Sequence, residues 1–258
     1  MTNDLKPGSV GNNITSLFPK TKPDLPPEFR AVYETYYKKN RQGETAATSL
    51  SSRMEHWLHL KVAKDVKHSQ GGDPVTLEIG AGTLNQLPLE PHVGQYDIVE
   101  PFGELYRGSP HLHRIRKIYN DISDVPVTNR YDRITAVAAF EHILNLPEVV
   151  AKGVLLMSAK GSMRVSIPNE GTILWKLGTL ITGFEFKRMY GLDYQVLMHY
   201  EHVNTADEIE AVMKYFFRDV STSVFGISKK LAFYRFMACT GPDSGKARDY
   251  LAGLKDRK

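Results

Sequence analysis

The sequence predicts an α/β fold: a seven-stranded, mostly parallel sheet with a C-terminal antiparallel hairpin, flanked by helices and a helical N-terminal cap. Three observations predict it. Short β-rich runs alternate with helical stretches between residues 75 and 167, the pattern of βαβ units. The first run ends in the glycine turn Gly80-Ala81-Gly82. The last two runs, Asp219–Ile227 and Leu231–Thr240, are separated only by Ser228-Lys229-Lys230, too short a link for parallel neighbours, so they form an antiparallel hairpin.

Residues 1–27 are rich in Pro, Gly, Asn and Lys without apolar periodicity, and are expected to form a flexible N-terminal arm. Residues 28–70 are expected to be a helical cap. Pro26-Pro27-Glu28 suits a helix start, and Phe29, Val32, Tyr33, Tyr36 and Tyr37 follow at mostly three- and four-residue steps. A second helix is expected over about 48–68, with Leu50, Met54, Trp57, Leu58 and Val62 on one side. Gly71-Gly72-Asp73-Pro74 then opens a domain spanning 71–242. Its strands are expected at Val75–Ile79, Tyr96–Val99, Arg116–Tyr119, Ile134–Ala139 and Ser162–Ile167, with a helix at Leu146–Ser158 and an insertion at 171–205. Residues 243–258 are expected to be a C-terminal tail.

The 258 residues carry 41% hydrophobic and 24% charged side chains, ordinary globular usage. No apolar run approaches the roughly 20 residues of a membrane span. Cys239 is the one cysteine, which excludes an internal disulfide and Cys-rich zinc sites, so a reducing cytoplasm is the expected compartment. Net charge is +4, and the basic clusters around Lys38-Lys39 and Arg114-Ile115-Arg116-Lys117 are short. Nucleic acid is therefore not the expected partner. A homodimer stays open.

The chemistry is concentrated in Glu78-Ile79-Gly80-Ala81-Gly82. Gly80 and Gly82 remove side chains where backbone must approach a ligand. Glu100 closes the second strand 20 residues after Gly80, where a carboxylate can accept the two ribose hydroxyls of an adenosine. Asn85 stands where a dinucleotide-binding G-x-G-x-x-G has its last glycine, and no G-x-x-x-x-G-K-[ST] phosphate loop is present. Glu78 would repel a pyrophosphate but suits an ammonium and a sulfonium.

These residues resemble the motifs of the class I S-adenosylmethionine-dependent methyltransferases, which have a Rossmann-like sheet. Glu78, Gly80 and Gly82 match the first motif, [DE]-x-G-x-G, with Leu84 in place of a frequent third glycine. Glu100 matches the second motif, and Asp121 in Asn120-Asp121-Ile122 the third, which reads the adenine. Phe140-Glu141-His142 is similar to the fourth motif of many small-molecule members. The resemblance implies S-adenosylmethionine as cofactor, held by Glu78, Gly80, Ala81, Gly82, Glu100, Pro101, Asp121, Ile122 and Phe140. The segment Met198–Thr205 and the Tyr-rich stretch 33–37 resemble parts of methyltransferases from cell-surface polysaccharide gene clusters. That likeness implies a small or sugar-like acceptor.

Methyl transfer to a hydroxyl or amine needs alignment and a proton acceptor, and histidine suits the latter near neutral pH. His142, after the fourth strand, and His202, in the segment expected to roof the pocket, are the candidate bases. Tyr36, Tyr37, Asn169, His199 and Glu141 are candidate acceptor contacts. Arg53 and His56, one helical turn apart, could meet an anionic group. Trp175, Phe184 and Tyr190 lie in the insertion, where such enzymes shape specificity. The gathering of Asp121, Glu141 and His142 is accounted for by these roles, so no metal is expected. Three rivals remain: an RNA or protein methyltransferase, a nicotinamide-dependent oxidoreductase, and a non-catalytic partner subunit of the same fold.

Overall fold

A computed structural model describes residues 14–30, 32–33, 49–66, 73–91 and 94–255. One seven-stranded sheet organises them, with strand order β3-β2-β1-β4-β5-β7-β6. The strands are β1 (Thr76–Ile79), β2 (Tyr96–Val99), β3 (Ile115–Tyr119), β4 (Tyr131–Val137), β5 (Met157–Pro168), β6 (Phe217–Ser228) and β7 (Leu231–Pro242). The first five run parallel, and β7 is antiparallel to both β5 and β6. The predicted sheet and terminal hairpin are both present. The chain order reverses beside β1, which pairs with β2 on one side and β4 on the other. Ligands of open α/β sheets bind in the crevice at such a switch point.

Helices cover both faces of the sheet. On one face lie α2 (Leu146–Leu156) and α5 (Ala206–Phe216). The α5 helix starts at Thr205, whose hydroxyl accepts the Glu208 N–H while the Glu208 carboxylate accepts the Thr205 N–H, a reciprocal cap. Its buried residues, Ala206, Ile209, Val212, Met213 and Phe216, recur at helical spacing and join Val150 and Val154 of α2 in the main core. The helix α6 (Ser244–Lys255) lies in the segment expected to be a tail. Ala247 is buried in the main core, and Tyr250 and Leu251 pack against it.

On the other face lies α1 (Ser49–Ala63), which places Leu58 and Val62 against Val137 and Phe236. Arginines from the sheet secure its end. Arg133 donates to the Val62 carbonyl at 2.8 Å, and Arg164 donates to the Lys61 and Val62 carbonyls at 2.7 and 2.8 Å. Cations there complement the negative end of the helix dipole. Arg133 is itself buried and forms a two-pronged pair with the buried Glu90 at 2.6 and 2.8 Å, with Asp65 at 2.9 Å. Removing one member of such a buried pair typically costs about 3–5 kcal/mol.

The insertion forms α3 (Ile173–Tyr190) and α4 (Tyr194–Glu201), which with Leu25 and Phe29 build a second small core around Phe186, Tyr194 and Leu197. Composition predicts a flexible arm over residues 1–27, of which 14–27 are described. Instead Ile14 and Phe18 are buried in the main core and Leu25 in the second one. Ile14 docks from the single short turn Ile14–Leu17, and Phe18 and Leu25 from non-helical chain beside prolines, so no periodicity reveals them. Residues 27–30 and 32–33 are helical, and the rest of the helix expected over 28–41 lies outside the described residues.

Candidate active site at the strand ends

The glycine turn is shaped by the end of β1. Gly80 donates its N–H to the Val99 carbonyl at 2.9 Å, continuing the ladder one residue, and the chain then bends with φ +72° at Gly80 and +51° at Gly82. These are left-handed conformations that an L side chain resists. A Cβ at Gly80 would sit 2.5 Å from the Ala139 Cβ, so the loop after β4 packs directly on the turn. Among the described residues, nothing lies within 4 Å of the corresponding point at Gly82. That position opens onto the crevice.

Glu100 is 2% exposed, and its two carboxylate oxygens accept the N–H groups of Gly82 at 2.9 Å and Phe102 at 3.0 Å. Each oxygen keeps a second lone pair, so the carboxylate is held in place and still able to accept. Glu78 points into the sheet interior and accepts the Tyr96 hydroxyl at 2.9 Å. Burial, reinforced by the neighbouring Glu90 charge, raises its pKa to about 8. Ala81 is buried beside Leu84 and Tyr96, and Pro101 is exposed.

Three further residues expected at the cofactor have structural contacts of their own. Asp121 caps the turn Ile122–Asp124, accepting the Ser123 N–H at 2.7 Å. Partial burial opposes its ionisation, but the two hydrogen bonds from Ser123 outweigh it and hold the carboxyl below the usual aspartate range. Ile122 turns its side chain into the main core, as does Phe140, which is fully buried. Apolar side chains there gain more from core packing than from a half-wet crevice.

Beyond β4 the turn Phe140–His142 meets the start of α5. The Asn204 amide donates to the Phe140 and Ile143 carbonyls at 2.8 and 2.7 Å, and the Val203 and Asn204 N–H groups both donate to the Glu141 carbonyl. This stitching brings His142 and His202, 60 positions apart in the chain, to a ring separation of 4.9 Å. His142 Nδ1 donates to the Glu201 carbonyl at 2.8 Å, and His202 Nδ1 bonds the Glu170 carboxylate at 2.7 Å. Burial pulls the His202 pKa down, but the bond and charge of Glu170, with Glu141 and Glu201 behind it, win and leave it raised. Trp175 stacks on His202 at 6.0 Å, closing one side. Glu141 is 2% exposed, with Oε1 3.9 Å from His142 Nε2.

The other acceptor candidates separate. Asn169 is fully buried and donates to the Lys229 and Ala232 carbonyls at 2.8 and 3.0 Å while accepting from Arg235 at 3.0 Å. It joins β5 to the hairpin rather than bordering a pocket. His199 is exposed on α4 and lines a separate surface groove with Pro23, Asp24, Gln195 and Val196. Phe184 is 73% exposed on α3, and Tyr190 packs in the second core. His56 lines an open cavity of about 340 Å³ between α1 and the residues after the glycine turn, with Glu55, His59 and Asn85. Tyr36, Tyr37 and the Arg53 side chain lie outside the described residues. Sequence reasoning missed Glu170 and Glu201. A carboxylate two residues past β5 was the only local signal for Glu170.

No family model matches the chain, and no curated protein matches it by sequence. Solved structures do match. The plantazolicin methyltransferase BpumL, crystallised with S-adenosylhomocysteine, is 12% identical with a TM-score of 0.56, over 83% of this chain and 92% of that one. An S-adenosylmethionine-dependent methyltransferase from Thermotoga maritima is 12% identical with a TM-score of 0.54, over 82% and 99%. The magnesium protoporphyrin IX methyltransferase of Synechocystis PCC 6803, with bound S-adenosylhomocysteine, is 11% identical with a TM-score of 0.54, over 81% and 96%. Strand order, switch point and terminal hairpin thus agree with these likenesses, and the chain has the Rossmann-like fold of the class I S-adenosylmethionine-dependent methyltransferases.

Proposed function

We propose that the chain transfers the methyl group of S-adenosylmethionine to a hydroxyl of a small or sugar-like acceptor. The carrying observation is the fixed Glu100 carboxylate beside the open Gly82 turn at the sheet's switch point. That pair supplies what an adenosine ribose and a close backbone approach require. Several solved neighbours of the same fold hold S-adenosylhomocysteine, which supports the same cofactor here.

The acceptor reading rests on the far side of the turn. His142, His202 and Glu141 converge just past β4, where the donor methyl of a bound cofactor would point. Two imidazoles favour an acceptor that must lose a proton as it attacks. The neighbours are named for unlike molecules, plantazolicin and magnesium protoporphyrin IX, so the fold does not choose the acceptor. The likeness of 198–205 to polysaccharide-cluster enzymes favours a sugar.

The test is transfer of labelled methyl from S-adenosylmethionine into an extract of the source organism, with a Glu100→Ala control. Label in small, nuclease-resistant, carbohydrate-like material is expected. Label in nuclease-sensitive polymer would replace the sugar reading with an RNA one. If His142→Gln and His202→Gln each keep full turnover with cofactor binding intact, the two imidazoles have no part in the chemistry.

A further inference from the structure

We infer that Glu141, His142 and His202 form a binding site for one divalent first-row transition-metal ion. The inference deepens the methyltransferase reading and rests on it only for the consequence: with the ion bound, it is the ion that would hold the acceptor oxygen and ease loss of its proton, and the imidazoles would be ligands in place of bases. It departs from the sequence expectation that no metal takes part.

The ligand geometry comes first. One donor atom from each of the three residues lies within 4.8 Å of the other two. Ligands about 2.1 Å from one ion are about 3.4 Å apart in a tetrahedron and about 4.2 Å apart when opposite, so the cluster needs to close by roughly an ångström. Two imidazoles and one carboxylate are a set that suits zinc, iron, cobalt or manganese better than magnesium, which prefers an all-oxygen octahedron. Three protein ligands leave coordination positions for substrate.

The surroundings of the histidines are those of metal ligands. A carbonyl can only accept, so His142 carries its proton on Nδ1, facing Glu201, and turns Nε2 toward Glu141. His202 likewise has Nδ1 on the Glu170 carboxylate. A ligating histidine commonly donates its other N–H to a carbonyl or carboxylate, which fixes tautomer and ring orientation. Here one of each kind is present.

Glu141 provides an independent observation. Its carboxylate is 2% exposed, and Oε2 is buried with no hydrogen-bond partner among the described residues. The 3.9 Å between Oε1 and His142 Nε2 is too long for a hydrogen bond. Buried carboxylate oxygens are normally satisfied, and a cation between these groups satisfies this one. The surrounding carboxylates, Glu170 and Glu201, add negative charge without occupying the centre.

The test titrates metal-stripped, full-length protein with Co²⁺, Zn²⁺, Mn²⁺ and Mg²⁺, read by calorimetry and by the visible d–d spectrum of Co²⁺. Saturable binding of about one Co²⁺ per chain with an imidazole-type spectrum is expected, displaced by Zn²⁺ and not by Mg²⁺. Glu170→Gln, which leaves all three ligands in place, should weaken Co²⁺ about tenfold. His142→Asn with His202→Asn should abolish the spectrum. Circular dichroism and S-adenosylhomocysteine affinity, measured on each protein, separate loss of the site from loss of the fold. Absence of saturable binding to the wild type, or an unchanged spectrum in the double variant, overturns the site. Cobalt binding without S-adenosylhomocysteine binding would keep the site and defeat the methyltransferase reading. The reverse would do the opposite.

Discussion

The Glu100 carboxylate accepts the backbone N–H of Gly82 at 2.9 Å, tying the end of β2 to the glycine turn that follows β1. With the second bond, from Phe102, the side chain is aimed before any ligand arrives. A pre-aimed acceptor loses little entropy on binding. Glu100→Ala should therefore weaken S-adenosylhomocysteine binding by at least about tenfold, since hydrogen bonds to a charged group are worth roughly 1.5–3 kcal/mol. Glu100→Gln keeps one acceptor oxygen and should fall between. Isothermal titration checks both, and equal affinity in all three proteins would remove Glu100 from the cofactor site.

Glu78 makes folding stability depend on pH. Its pKa is about 8 in the folded chain against an ordinary 4.5. Below about pH 4.5 both states hold the proton and the group contributes no difference. As pH rises toward 8 the unfolded chain releases the proton while the folded chain keeps it, so this carboxyl progressively favours unfolding. Glu78→Gln should flatten that part of the profile and gain stability relative to wild type at pH 8 compared with pH 5. Urea midpoints at the two pH values read the difference. A wild-type and variant that change in parallel would show that Glu78 is ionised in the fold.

Asn169 is a structural hub in the fold, and its variants should say so. Asn169→Ala removes the acceptor of the buried Arg235 Nε and the donor to the Lys229 carbonyl. Arg235 keeps Asp207 at 2.7 Å and Glu210 at 2.8 Å, so the charge is still paired. The cost should be about 2–4 kcal/mol, lowering Tm by several degrees. The acceptor KM of the remaining folded enzyme should not move. A large rise in KM at unchanged Tm would return Asn169 to the acceptor pocket.

What was legible in the sequence was what is local. The strand positions show in short apolar runs, and β2 matches its expected bounds, Tyr96–Val99. The glycine turn and Glu100 are legible because a turn's demand for left-handed backbone and a strand-end carboxylate need no knowledge of distant partners. The pairing of His202 with Glu170 and Trp175 was not legible, because it depends on how α3 packs against β7, with Trp175 on Tyr234, and on α4. The burial of Arg133 was equally hidden. A strand arginine reads as solvent-facing until Glu90 and Asp65, far away in the chain, arrive beside it. Asp121 shows how a motif position can carry local work as well: its side chain caps its own turn.

The two glycines of the turn should separate stability from ligand binding. Gly80→Ala meets both a left-handed φ and a Cβ only 2.5 Å from the Ala139 Cβ. Gly82→Ala meets the φ alone, at roughly 1–2 kcal/mol. Gly80→Ala should therefore lower Tm more than Gly82→Ala. Adding Ala139→Gly should recover the steric part of the Gly80→Ala loss and leave the backbone part, a coupling that a double-mutant cycle measures. Binding should run the other way relative to stability. Gly82→Ala keeps the N–H that Glu100 accepts but places a methyl where the turn opens onto the crevice. Its S-adenosylhomocysteine affinity should drop about tenfold or more for a small loss in Tm. If Gly82→Ala instead binds as wild type does, the open space beside it is not where the cofactor lies.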